Sequence, residues 1–427
     1  MPRLSDVVRR HGPGYLERHR AAIVPSHARA VRAIVRCRTP ALGGHLAACT
    51  KCDGEHLFFH SCRHRACAQC GHDATAAWLR GQRARLLPVP YFQVVFTLPG
   101  ELRRPVRSHQ RALLPALFKA AFAALASLCA DPRWLGASTI GALAVLHTWT
   151  RTLEWHPHVH LLVPAVGLAA DGRTIVRPPR RRWRFLVPEA ALAKKFRGRF
   201  LALARRALPR IRLPTIPWRK RWVVHAKPCV QGADKVLDYL GRYVHRTAVS
   251  DSAIVALDDT TVTFRYRSNQ DGARRTMRLP ADEFLRRFLQ HVPPPGFHRV
   301  RAYGLLHPRR REALRQLQLS LAPTTPPPPA TPSPRAARPP LSCPRCGSPM
   351  RLVRHLPAIE CLALVTAILP TARAPPPCER FRSTSVFAPA GARLAIACPA
   401  PSARKRYYVG PLWRFKSRRL SPSSLSR

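Results

Sequence analysis

Residues Leu153 to Pro164 read LEWHPHVHLLVP, and their spacing decides the fold. Three histidines stand at alternate positions, His156, His158 and His160, ahead of the apolar run Leu161-Leu162-Val163. In a strand, residues i and i+2 point to one face, so these imidazoles line one side while Val159 and Leu161 fill the other. Same-face neighbours lie roughly 7 Å apart and i to i+4 roughly 13 Å. Two rings can therefore converge on one cation, but three on one straight strand cannot. His158 and His160, beside the apolar run, are the better ligand pair, and a third ligand has to come from a neighbouring strand. By spacing alone, a half-buried strand with polar histidines outward explains the stretch equally well.

Working outward, Ile140 to Thr150, IGALAVLHTWT, is an apolar strand that a short polar turn joins to the histidine strand. Such a hairpin brings His147 beside the pair, and its odd separation from His158 permits a same-face position. Glu154 and His156 compete for the role of third ligand but sit nearer the turn. Tyr91 to Leu98, YFQVVFTL, is a further strand that Pro99-Gly100 ends. Leu113 to Ala130 is the longest apolar segment; Lys119 interrupts it, and it reads as a buried helix with Pro115 in its first turn. Downstream, Leu192 to Leu208 reads as a basic amphipathic helix, Trp222 to Ala226 and 261–267 as strands, and 281–291 as an amphipathic helix.

Charge bounds the function. Against 73 Lys and Arg stand 21 Asp and Glu, a formal +52 over 427 residues, and such an excess repels itself unless a polyanion is near. DNA or RNA is the natural partner. No apolar run of signal-peptide type opens the chain and no stretch approaches the ~20 apolar residues of a membrane span, which points to the cytoplasm or the nucleoid and away from a membrane. Thirteen cysteines without a secretory signal argue for thiolates on metal rather than disulfides.

The cysteines begin with Cys49-Thr-Lys-Cys52, then fourteen residues, then Cys67-Ala-Gln-Cys70. Each CxxC can set two thiolates on one ion, so the four are expected to close a structural zinc tetrahedron. Cys62, His45, His56, His60, His64 and His72 are spare candidates. Arg63 and Arg65 lie in the loop between the pairs, placed to meet phosphate. A second basic set, Arg180, Arg181 and Arg182 beside Trp183, suits a single strand, with phosphates on guanidinium groups and a base on the indole; Arg242 joins this DNA-binding set. Arg286, Arg287, His298, Arg299, Arg301 and Arg309 to Arg311 are expected to thicken the positive surface.

Asp234 to Arg246, DKVLDYLGRYVHR, has Val236, Leu237 and Leu240 at helical spacing. Tyr239 and Tyr243 then project from one face about 6 Å apart. For an isolated pair, core packing is the default reading. Near the end, 323–340 holds nine prolines in eighteen residues and reads as an extended linker. Cys343-Pro-Arg-Cys346 begins half of a second zinc knuckle, whose partners would be Cys361, Cys378 or Cys398. The Ala-, Pro-, Arg- and Ser-rich remainder carries no pattern.

Taken together, these blocks carry a resemblance. The cysteine cluster, YFQVVFTLP, VLHTWT, HPHVHLLVP, FRGRFL, VLDYLGRYVHR, LPADEFLRRFL and GFHRVRAYGLL follow one another from about Cys49 to His307. In that order they resemble the two-tyrosine transposases of insertion-sequence family ninety-one, whose metal site is the His-hydrophobic-His (HUH) motif. The resemblance implies an α+β fold: a zinc-ribbon module, then an HUH nuclease with a five-stranded antiparallel sheet and helices on one side. The layout is a basic helical lead-in (1–40), zinc module (41–86), nuclease (88–315), proline-rich linker (320–340) and a tail (341–427). It further implies Mg²⁺ or Mn²⁺ on His158, His160 and His147, and Tyr239 and Tyr243 as nucleophiles forming a 5′-phosphotyrosine. Single-stranded or hairpin transposon ends would be the substrate, and since no P-loop is visible, unwinding would fall to a host helicase and replication machinery. The rivals are a non-catalytic zinc-dependent DNA-binding protein and a plasmid rolling-circle replication initiator. Acids are too few, and form no recognisable triad, for a carboxylate-metal transposase.

Overall fold

A computed structural model describes residues 1–52, 54–178, 186–215, 220–229, 235, 237–238, 241, 248–268, 270–321 and 341–368. The chain forms two compact units, Met1–Val35 with Cys62–Ala330, and Arg36–Ser61 with Thr331–Arg427. In chain order the elements are α1 (Leu4–Arg18), α2 (Pro25–Arg36), β1 (Gly44–Cys49), β2 (Glu55–Phe59), α3 (Ala68–Arg83), β3 (Tyr91–Thr97), α4 (Arg103–Ser108) and α5 (Gln110–Cys129). There follow β4 (Thr139–Trp149), β5 (Trp155–Pro164), β6 (Gly167–Leu168), β7 (Ile175–Val176), α6 (Glu189–Ala207) and β8 (Val224–Pro228). The last are β9 (Ile254–Leu257), β10 (Thr261–Arg267), β11 (Arg274–Pro280), α7 (Ala281–Leu289), β12 (Val300–Gly304), α8 (Arg311–Leu321), β13 (Met350–Leu356) and α9 (Ala358–Ile368).

The larger unit is built on a seven-stranded antiparallel sheet ordered β7-β6-β4-β5-β3-β8, with β12 also paired to β4. Its centre is the β4–β5 hairpin. Thr150 N–H donates to Glu154 O at 3.0 Å, and Leu153 takes φ +64° to close the turn. β4 is buried without a break from Ile140 to Thr148, so both of its faces need cover. One face, with Phe92, Val94, Phe96, Ala144, Leu146, Val159 and Leu161, packs on Phe118 and Ala121 of α5 and on Phe196 and Phe200 of α6. The other, with Tyr91, Leu143, Val145 and Leu162, packs on α3 through Trp78 and Leu79, on α8 through Leu314 and Leu317, and on Leu237.

Two expectations need correction. The sheet has seven strands rather than five, and helices cover both faces rather than one, because β4 and β5 are apolar at successive positions and not only at alternate ones. The apolar helix also starts at Gln110, which puts Pro115 inside it beyond the first turn. Among the described residues this is the one helix long and apolar enough to cross a membrane, and most of its apolar window is buried against the sheet and α6.

Around this core, β9, β10 and β11 form a three-stranded sheet under α7, where Phe264 meets Phe284. α1 reaches the same layer, with Arg18 Nη2 donating to Asp282 at 2.6 Å. The smaller unit is a three-stranded antiparallel sheet ordered β13-β1-β2, followed by α9. Part of the stretch without sequence pattern therefore folds as strand and helix; residues 322–340 and 369–427 lie outside the described set.

Gly304 ends β12 at φ +54°, and a Cβ there would stand 1.7 Å from the Ile140 carbonyl oxygen. Gly272, at φ +69°, has open space around it. Gly272→Ala should cost about 1–2 kcal/mol, the left-handed strain alone. Gly304→Ala should cost clearly more, since backbone has to move as well. Urea unfolding of the two variants checks the order; equal losses would show that β12 gives way freely.

Candidate active site and zinc centres

The β4–β5 register pairs His147 with His158 and Val145 with His160. Parity then places all three histidines on the sheet face that carries Leu143, Val145 and Leu162. Their ligand nitrogens all lie within 4.8 Å of one another. Ring centroids are 4.2 Å apart for His147 and His160, 5.2 Å for His147 and His158, and 5.0 Å for His158 and His160. Of the three candidates for third ligand, the structure brings His147 to the pair. Glu154 is exposed at the turn. His156 is engaged elsewhere, its Nδ1 accepting from Arg103 Nη2 at 2.7 Å.

Burial sets the protonation of the trio. It pushes His158 down to about 4 and His160 down to about 3, and holds His147 well below the ordinary histidine range. All three are thus neutral at pH 7, the form that ligates metal. His158 Nδ1–H donates to His156 O at 2.7 Å, which leaves Nε2 as the ligand atom. Gln93 of β3 lies 3.0 Å from His160 Nδ1 through its side-chain amide. With the amide oxygen turned to the ring, Gln93 would hold the proton on Nδ1 and free Nε2 in the same way. The site fits a divalent cation with an open position: three neutral imidazoles, two with a second nitrogen in contact with a fixed polar group.

Gln93 was not read from the sequence, although a polar residue between Tyr91 and Val95 on an otherwise apolar strand was a visible signal. Arg299 is a correction. It is 9% exposed, not part of a positive surface, and its guanidinium donates to His291 O and lies over Trp149. Burial lowers its pKa to about 10, so it stays charged at neutral pH. Arg286 and Arg287 both pair with Glu283 at 2.6 Å.

Tyr239, Tyr243, Arg242, Arg180, Arg181, Arg182 and Trp183 lie outside the described residues. Lys235, Leu237, Asp238 and Gly241 are described and helical. Leu237 is fully buried and lines a small cavity with Tyr91, Leu143 and Leu162, on the histidine face. Asp238 pairs with Arg83 of α3, and a Cβ on Gly241 would meet Leu79 at 2.8 Å. Gly241 therefore allows close packing against α3. In the loop before α3, Arg63 and Arg65 are both exposed, Arg63 at φ +51° and Arg65 with its guanidinium donating to Phe297 O at 2.6 Å.

The thiols separate into two clusters, and this changes the expected set. Cys49 and Cys52 come together with Cys343 and Cys346, not with Cys67 and Cys70. The Sγ separations are 3.4 Å for Cys49 and Cys346, 3.7 Å for Cys52 and Cys343, and 3.6 Å for Cys52 and Cys346. Tetrahedral zinc with Zn–S of ~2.3 Å sets sulfurs ~3.8 Å apart, so the four sites fit that ion. The cause is a non-local ladder: β1 pairs with β13, Cys49 opposite Met350, and Thr50 N–H donates to Pro349 O at 3.1 Å. Gly347 at φ +73° closes the Cys343–Cys346 knuckle. Hydrogen bonds from the Ser348 hydroxyl and backbone lower Cys346 to about 6, toward the thiolate. The expected partners of that knuckle are replaced accordingly: Cys361 bonds Leu356 O instead, and Cys378 and Cys398 lie outside the described residues. In the larger unit Cys67, at the N-terminus of α3, gathers with Cys62 and Cys70, the latter two 3.6 Å apart.

Residues 7–98 match the family model described as "Transposase zinc-binding domain", and residues 141–313 the one described as "Putative transposase". A Sinorhizobium fredii protein named "Putative transposase y4qJ" is 40% identical over 358 residues, 79% of this chain and 88% of its own. The chain belongs to the transposases of insertion-sequence family ninety-one. "Transposase for insertion sequence element IS801", from Pseudomonas savastanoi pv. phaseolicola, is 32% identical over 293 residues, 65% of this chain and 69% of its own. No solved structure matches the chain. As a transposase of this family it processes nucleic acid, binds DNA and carries structural zinc. The matched zinc-binding stretch holds Cys49, Cys52, Cys67 and Cys70 but not Cys343 and Cys346, which the transposase recruits from far along the chain.

This arrangement predicts that Cys49→Ser/Cys52→Ser and Cys343→Ser/Cys346→Ser each remove the same equivalent of zinc, so that combining them removes no more. Cys62→Ser/Cys70→Ser should remove a different one. Metal content of the purified variants decides it; zinc retained in the Cys343/Cys346 variant would reject the pairing.

Proposed function

We propose that this transposase cuts and rejoins single DNA strands at transposon ends through a tyrosine nucleophile, driving rolling-circle transposition. What supports the reading most is the convergence of His147, His158 and His160 on the sheet face that also seats Leu237, which precedes Tyr239 by two residues in the sequence. The three imidazoles would hold Mg²⁺ or Mn²⁺, which when bound supplies Lewis-acid polarisation of a scissile phosphate. Imidazole ligands favour Mn²⁺ over Mg²⁺ in affinity.

A free phenol has a pKa near ~10 and is a weak nucleophile at neutral pH, so it acts only on a phosphate held and polarised beside it. The oxygen of Tyr239 or Tyr243 bonds to phosphorus, the bond from phosphorus to the 3′ oxygen breaks, and that oxygen leaves as a free 3′-OH. The 5′-phosphotyrosine keeps one phosphodiester's worth of bond energy, so attack by a 3′-OH reverses the step without ATP. Two tyrosines let one site hold one end while opening another. In this reading residues 88–315 are the nuclease domain. The basic residues Arg63, Arg65, Arg180, Arg181, Arg182 and Arg242, with Trp183, guide single-stranded or hairpin ends, and a host helicase and the replication machinery supply the strand. The reaction takes place on DNA in the cytoplasm, at the nucleoid.

The test is a covalent adduct between the full-length protein and a short labelled single strand in Mn²⁺. The adduct should form with the native chain, persist in Tyr239→Phe or Tyr243→Phe alone, and vanish in the double variant. It should fall by at least ~100-fold in His158→Ala, the scale of losing a metal's contribution to phosphoryl chemistry. An adduct that survives the double variant would remove these tyrosines from the chemistry. DNA binding without any adduct would leave a zinc-dependent binding protein.

A further inference from the structure

We propose that His45, His60 and His355 form a further metal site of the smaller unit, a three-imidazole centre that takes a zinc-class divalent ion. The sheet register carries the argument. His45 of β1 lies directly opposite His355 of β13 on one side and Phe58 of β2 on the other. His60 stands two residues beyond Phe58, where its N–H donates to Gly43 O at 3.0 Å. Opposed residues share a face, and so do residues i and i+2, so all three imidazoles project from the same side.

Their geometry is that of a ligand set. The three ligand nitrogens lie within 4.8 Å of one another, and His60 Nε2 is 3.0 Å from His355 Nε2. Three nitrogens at ~2.05 Å from one tetrahedral ion stand ~3.3 Å apart, close to that separation. The His45 ring meets the other two at 89° and 68°, edge toward face rather than stacked. A proton shared between His60 and His355 would account for their contact but not for the third ring. His45 Nδ1 is buried with no hydrogen-bond partner, which costs about 1–3 kcal/mol while it stays unsatisfied.

The donor chemistry narrows the occupant. Imidazole nitrogens without carboxylate or carbonyl oxygen favour Zn²⁺, Co²⁺ or Ni²⁺ over Mg²⁺ and Ca²⁺. His355 is exposed, so a fourth position faces solvent. The site is separate from the four-thiol cluster, since His45 and Cys49 are four residues apart on β1, roughly 13 Å. Between them the β1–β13 ladder carries a bulge at Leu46 and Ala47. One clamp on each side of that bulge holds β13 in a register that the interrupted ladder alone enforces weakly.

The experiment is cobalt titration of the metal-stripped full-length protein, read by absorption. It is done in a His158→Ala background so that the nuclease trio does not contribute. Cobalt on thiolates gives a strong near-ultraviolet charge-transfer band, whereas cobalt on imidazoles gives only weak visible bands. The expected result is one imidazole-type equivalent that disappears in His60→Ala/His355→Ala while the thiolate band keeps its full amplitude. Retention of that band shows that the unit still folds. Cobalt uptake that is identical with and without His60 and His355 would overturn the proposal, and so would a thiolate-type spectrum accounting for every equivalent bound.

Discussion

The pairing of β4 with β5 is the constraint on which the rest depends. It sets His147 across from His158, so a single register decides whether the imidazoles converge or scatter. A slip of one residue would turn every side chain to the opposite face and put the histidines against α5 and α6, among phenylalanines. The apolar parity of both strands forbids that slip. Leu146, Val159 and Leu161 have to meet the helical layer, and the histidines are then committed to the other side.

That other side is apolar too, and the consequence is electrostatic. Trp78, Leu79, Leu237, Leu314 and Leu317 pack with Leu143, Val145 and Leu162 on that face, and burial keeps His147, His158 and His160 neutral. Exposed imidazoles would spend part of their time protonated and would compete poorly for metal. Burial works against the charge on Arg299, and what holds that cation in the interior is its hydrogen bond to the His291 carbonyl and its place over the Trp149 ring. Few acids balance the chain's positive charge, and several of those present act as local clasps: Asp282 on Arg18, Glu283 on Arg286 and Arg287, Asp238 on Arg83.

The smaller unit solves a different problem. A three-stranded sheet of this size buries little apolar area, and its core is Ala47, Cys343 and Met350 with a few neighbours. Sulfur and imidazole clusters on its strands and the turns beside them offer the cross-links that so small a core lacks. They also tie together segments far apart in the sequence, since β1 and β2 lie within residues 44–59 and β13 within 350–356.

Local pattern by itself determined a good deal. Alternation in HPHVHLLVP and in YFQVVFT announced strands, the odd spacing from His147 to His158 announced their shared face, and paired CxxC motifs announced thiolate metal sites. These are short-range properties, set by the two-residue period of a strand or by the reach of a tight turn. Tertiary structure alone decided which cysteines are partners, because strand pairing between β1 and β13 leaves no trace in the spacing of either segment. It alone decided that Arg299 is interior and that Gln93 touches His160, since both depend on which element covers which face. Whether helices lie on one side of the sheet or both was likewise settled by packing: a strand buried through successive residues has to be covered twice, whatever its neighbours in sequence.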